Sequence, residues 1–126
     1  MGEAINRQGG EFHLTKETSE YTGEAGSFCT VTSANLEAIK VGSKIIYTSA
    51  AAEPALESDL VIISGDDTLT GHVLLDVPSA SGTLAITGGT GAFTGFRAET
   101  VVTFDGTEWH WDGTYSVAEA ATAASV

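Results

Sequence analysis

Apolar and polar residues alternate along much of this chain with a period of two, the spacing of a strand with one covered face. In Glu11–Glu20, Phe12 and Leu14 fall on one side, and His13, Thr15 and Glu17 fall on the other. Ser27–Leu36 repeats the pattern, with Phe28, Thr30 and Thr32 opposite Cys29, Val31 and Ser33. Lys44–Ser49 predicts a third strand. Asp59–Ser64 predicts a fourth, apolar throughout and therefore covered on both faces. Thr68–Val77, Gly82–Thr87, Phe96–Phe104 and Thr107–Val117 complete a set of eight. Turn residues punctuate the set at Tyr21–Gly26, Gly65–Asp67 and Pro78–Ser81, and most strongly at Asp105-Gly106. Glu37–Ser43 reads as a connection with room for one helical turn, and Ala50–Ser58, which holds Pro54, as a loop or short helix. Residues 1–10 form an arm, and the alanine-rich stretch 118–126 is a frayed tail or a short helix.

Many short strands with almost no helical periodicity predict an all-β fold, a sandwich or a barrel, in one domain spanning residues 1–126. Strands apolar on both faces favour an eight-stranded antiparallel β-barrel, with one face inside and the other against a second subunit. The interior of such a barrel holds side chains or one small ligand. Phe96, Val102 and Phe104 share a face opposite Glu99. Placed outside, that face is a patch that soluble monomers seldom leave bare, so a homo-oligomer, dimer or trimer, is expected.

The densest local signal is Gly88-Gly89-Thr90-Gly91-Ala92-Phe93-Thr94-Gly95, in which four of eight residues are glycine. An apolar run enters it and a long β-prone run leaves it. It therefore connects two strands, with Phe93 as its one large anchor. A phosphate-cradling loop would need a helix N-terminus behind it, and the run from Phe96 onward is strand-like.

Charge narrows the partners. Seventeen acidic residues against five Lys and Arg give a formal net charge of −12. That surface repels nucleic-acid backbones and anionic membranes. No apolar run approaches a membrane span. The single cysteine, Cys29, excludes an intramolecular disulfide. The first residues lack the basic start and apolar core of a signal peptide, which points to a cytoplasmic protein; a trimmed secreted form would read the same.

The candidate chemistry is sparse. Cys29 is an inert core residue or a pocket thiol, with no His, Lys or helix N-terminus evident beside it to activate it. Trp109-His110-Trp111 places both tryptophans on one face of the last strand, with Tyr115 beside them by parity and His110 and Asp112 opposite. The tryptophans are core, interface or ligand-stacking groups. Glu99 is an outward partner of Arg97 or a carboxylate desolvated inside the barrel. His13, His72 and His110 show no metal-ligand spacing, and no nucleophile elbow is present.

These residues carry a family resemblance. The stretch Gly88–Gly95 resembles the GGTGxFxG segment of allene oxide cyclase-like and dirigent-like barrels. Glu24-Ala25-Gly26-Ser27-Phe28-Cys29-Thr30-Val31 resembles the strand of the plant cyclases that carries a pocket cysteine, and Gly71-His72-Val73 resembles their Gly-His strand. Gly95-Phe96-Arg97 is similar to the same position in bacterial spirotetronate cyclases, so a small bacterial-type member fits best. Glu3 and Asn6 only loosely echo the plant cyclases' pocket Glu and Asn. The resemblance covers residues 11–117 and implies a barrel that steers cyclisation of an apolar polyene or polyketide-like substrate in its lumen, without cofactor.

The function expected is therefore a cofactor-independent cyclase or isomerase. Glu99 and Tyr47 would orient a polar group, and Cys29, Trp109, Trp111 and Tyr115 would line the site. A carrier of small hydrophobic ligands on the same barrel is the alternative, and an oligomer with a filled interior is a third.

Overall fold

The computed structural model describes residues 4–50 and 55–118. Eight strands follow one another: β1 Gly10–Glu17, β2 Phe28–Ala34, β3 Lys44–Tyr47, β4 Ala55–Ser64, β5 Asp67–Asp76, β6 Ser81–Gly89, β7 Phe96–Phe104 and β8 Trp109–Val117. Each pairs antiparallel with the next, and β8 returns to β1, so the sheet closes into a barrel. Closure leaves no unpaired edge, which removes the aggregation hazard of an open sheet. A short 3-10 turn, Gly91–Phe93, is the only helical element among the described residues.

Inward positions obey the period of two. Phe12 and Leu14 on β1, Cys29 and Val31 on β2, Ile45 and Tyr47 on β3, and Leu84 and Ile86 on β6 all lie in the core. Complete burial of such a large apolar side chain contributes roughly 1.5–3 kcal/mol relative to leaving it exposed. Two expectations change here. β4 begins at Ala55, inside the stretch expected as loop or helix, and it is not covered on both faces. Leu56, Ser58, Leu60, Ile62 and Ser64 point in, while Glu57, Asp59 and Ile63 are exposed. Val61 and Ile63 reflect the preference of β-branched residues for strands rather than a second buried face. On β7 the face carrying Phe96, Ala98, Thr100 and Val102 is the inner one, so it forms no outer patch.

The two ends of the barrel differ. At one end the glycine-rich connection between β6 and β7 folds Phe93 into the core at 1 % exposure. Phe93 meets Phe96 edge-on at 5.9 Å, Phe96 stacks on Tyr115 at 5.1 Å, and Phe12 closes against Phe96 at 5.9 Å. These rings make a solid floor. The glycines are required by close approach: a Cβ at Gly89 would lie 2.6 Å from Phe93 Cβ and from Thr68 O. Gly95 adopts φ +80°, where a Cβ would also meet Ala118 O at 2.5 Å. The arm tucks under the same floor, with Asn6 N donating to Tyr115 Oη at 2.8 Å. Leu36 and Ile39, in the connection between β2 and β3, are buried there too. Ser64 Oγ ties that connection down by donating to Ala38 O and accepting from Lys40 N.

The opposite end is the mouth. It is framed by residues 18–27, residues 48–50 after β3, the β5–β6 turn and the Asp105-Gly106 hairpin. The expected N-terminal residues 1–3, part of the expected loop (51–54) and nearly all of the expected tail (119–126) lie outside the described residues.

Candidate functional site

The inner face of β1 runs Phe12, Leu14, Lys16. The same alternation that buries two apolar residues carries a lysine into the barrel near the mouth, at 6 % exposure. The pairing of β1 with β2 shifts register between Thr15 and Lys16: Thr15 faces Ser33 and Lys16 faces Val31, so Thr32 is the extra residue. A bulge of this kind bends the strand and re-aims the side chain beside it. Thr15 Oγ1 holds the bulge with hydrogen bonds to the hydroxyls of Thr32 and Ser33.

Lys16 Nζ donates to Tyr47 Oη at 2.8 Å and to Cys29 Sγ at 3.4 Å. It also lies over the rings of Tyr47, Trp109 and Trp111, at 5.2, 5.5 and 5.8 Å from their centroids. Among the described residues no carboxylate pairs with it. Burying an ammonium without a counter-ion costs several kcal/mol, on the order of the penalty for any desolvated ion, and the group avoids that cost by giving up its proton. Burial accordingly pushes the Lys16 amine below its ordinary value of 10.5, with Cys29 pulling weakly the other way. Burial first, and Cys29 second, push the Tyr47 phenol well above 10.0. The pair therefore favours a neutral amine beside a neutral phenol.

A neutral amine has two N–H bonds and one lone pair. Tyr47 Oη and Cys29 Sγ are its only hydrogen-bond partners among the described residues, and with both groups neutral the Tyr47 hydroxyl is the one that can hold the lone pair. Tyr21 adds an unfilled polar group: its Oη is buried and has no hydrogen-bond partner among the described residues. The Tyr21 ring packs edge-on against Tyr47 at 5.1 Å.

These groups surround a recess of about 60 Å³, walled also by Leu56, Val73, Leu75 and Val102. Outside it, Tyr21, Leu56, Leu75, Val77, Phe104 and Trp109 line a basin of about 790 Å³. Phe104 and Trp109 face each other across the rim at 4.8 Å. The recess holds roughly two water molecules, far below the ~300 Å³ at which sites for whole small molecules begin. That recess alone is too small to enclose a whole polyene.

Of the expected site residues, Cys29, Tyr47, Trp109 and Trp111 come together here. Tyr115 does not. It is on the same face of β8, but it stacks into the floor at the far end. Glu99 does not either: it lies on the outer face of β7, paired with Ala85 and Thr114 in the outer wall, and forms no ion pair with Arg97. Sequence reasoning misses two residues. Lys16 is signalled by its parity with Phe12 and Leu14, and it supplies the neighbour that Cys29 lacks in sequence. Tyr21 sits in a turn, where no periodicity could announce it.

The histidines all face outward, each held by carboxylates. His13 bonds Glu11 and Asp112, His72 bonds Asp59 and Glu57, and His110 bonds Asp105 at 2.7 Å. These bonds raise all three pKa values above 6.5. No protein-family model matches the chain, and no curated protein matches it in sequence.

Proposed function

We propose that this barrel is a cofactor-independent isomerase or cyclase for a small apolar molecule that carries one polar end. The apolar body lies in the mouth basin against Phe104, Trp109, Leu56 and Leu75. The polar end enters the recess, where the Tyr21 hydroxyl donates to its oxygen and Lys16 holds or takes a proton. The observation that carries this reading is the desolvated lysine without a counter-ion at the bottom of an apolar opening. A buried amine whose pKa is lowered by desolvation is better suited to act as a general base, and such groups cluster at functional sites. The resemblance to allene oxide cyclase-like and dirigent-like barrels supports it, since the enzymes among them work by confining a flexible substrate. Ordering of that kind supplies up to roughly 7–11 kcal/mol in the best intramolecular cases.

The test is turnover of a β,γ-unsaturated aliphatic ketone, followed by the absorbance of the conjugated product. The wild type is expected to convert it, and Lys16→Met to bind it without conversion. A carrier of hydrophobic ligands is the second reading, favoured by a recess with room for an end group only; it predicts equal binding and no conversion by either protein.

The homo-oligomer is also retained as a proposal, now on different residues. Leu74 and Val101 are 50 % and 55 % exposed on the outer wall, and both register with Thr83 of β6 between them. A second copy would cover that stripe.

A further inference from the structure

We propose that Lys16 captures an aldehyde covalently, as an imine, so that the molecule accepted at the mouth is an apolar aldehyde. This rests on the mouth being a ligand site and adds the chemical class of its ligand. Four features of the geometry converge on it. Lys16 lines the recess and is itself only 6 % exposed, so an entering chain reaches Nζ through that small space. Its polar contacts among the described residues are Tyr47 and Cys29 alone, so the lone pair of the neutral amine is engaged by no more than the Tyr47 hydroxyl, which can turn aside for an electrophile. A volume of about 60 Å³ fits a small end group such as a formyl with an adjacent methylene or two. Finally, Tyr21 Oη, buried and without a partner among the described residues, is the donor that a carbonyl oxygen would need.

The step balances without any further reagent. The amine lone pair adds to the carbonyl carbon, and an amine proton passes to the oxygen, giving a carbinolamine. The oxygen then departs as water, taking a proton from the Tyr21 hydroxyl, which recovers one from the nitrogen. An aldehyde and an amine become an imine and one water. The surrounding rings suit the product, because an iminium formed by protonation would lie over Tyr47, Trp109 and Trp111. Desolvated lysines in hydrophobic pockets are the ones that form such adducts.

The chain carries its own controls. Its other two lysines, Lys40 and Lys44, are exposed and do not line the recess. The full chain is incubated at pH 7 with octanal and cyanoborohydride, which reduces any imine to a stable secondary amine, and the three lysines are compared by peptide mass mapping. Lys16 is expected to be labelled at least tenfold faster than Lys40 or Lys44, and excess 1-octanol should slow Lys16 alone. Separately, 1-octanol binding is followed by tryptophan emission. If octanol binds and Lys16 is not preferentially labelled, the imine is overturned while the ligand site stands. If octanol does not bind and Lys16 is unlabelled, both fall. Preferential labelling that octanol does not slow also overturns the proposal, since the amine would then be reached by another path.

Discussion

Lys16 Nζ and Tyr47 Oη lie 2.8 Å apart although their strands, β1 and β3, are not neighbours. The strand between them, β2, contributes Cys29 to the same contact. Three successive strands of a tightly curved wall thus converge on one amine, and the tryptophans of β8 close over it from the other side of β1. A flat sheet would hold β1 and β3 almost two strand spacings apart, roughly 9–10 Å. Curvature allows the contact, and the bulge at Thr32 aims the lysine into it.

That amine makes stability depend on pH in a particular direction. Its folded pKa is depressed below the ordinary 10.5, so between the two values the unfolded chain binds the extra proton. Stability from this group is lost as pH falls through that window. Lys16→Met removes the titration and keeps the volume. Its melting temperature relative to the wild type should therefore rise as pH is lowered from about 10.5 toward the depressed folded value. A difference independent of pH would mean that the lysine is charged in the folded protein.

The histidines act in the opposite sense. Their folded values are raised, so the stability they bring is complete below about 6.5 and lost as pH rises through the folded values. All three are partly exposed, so the effect is small. Replacing His72 with Gln should flatten the wild-type loss between pH 6 and 8 by a measurable fraction, read from urea midpoints. An unchanged slope would show that its bonds to Asp59 and Glu57 carry no weight.

Much of this is legible in the chain, and the rest is hidden for identifiable reasons. The register of β7 and β8 comes from simple alternation, so the shared face of Trp109, Trp111 and Tyr115 can be read directly. Alternation does not give position along the barrel axis. Trp109 and Tyr115 are six residues apart on one face, about 20 Å of strand, which separates mouth from floor. Glu99 stands out as a charge among apolar neighbours, but Ala98 and Val102 point into the core while Glu99 shares the outer face with Arg97, Val101 and Thr103. Lys16 escapes a reading by pattern because lysine at an inward position contradicts the usual rule that it stays solvated. That exception is the feature on which the functional reading turns.

The floor should be separable from the mouth. Phe93→Ala removes the plug that the glycine stretch exists to place, at a cost of about 3–5 kcal/mol, the usual range for a buried aromatic. Ligand affinity at the mouth should stay within about twofold of the wild type, because distant sites behave independently. Chemical denaturation and a ligand titration on the same variant check both halves. A large loss of affinity would show that the floor belongs to the site.

The outer stripe predicts assembly. Light scattering at micromolar concentration should give more than the mass of one chain, and Val101→Lys should reduce it to one. A wild type that is already monomeric would remove the oligomer from the account.

The chain's two tryptophans, Trp109 and Trp111, both line the recess, so intrinsic emission reports on that site alone. The most direct measurement is therefore a titration of wild type and Trp109→Ala with 1-octanol, followed by tryptophan emission. A saturable change is predicted in the wild type. The variant, reporting through Trp111, should bind about 2 kcal/mol more weakly, roughly thirtyfold. A wild type whose emission does not saturate, or a variant that titrates like the wild type, would contradict a ligand site at the mouth of the barrel.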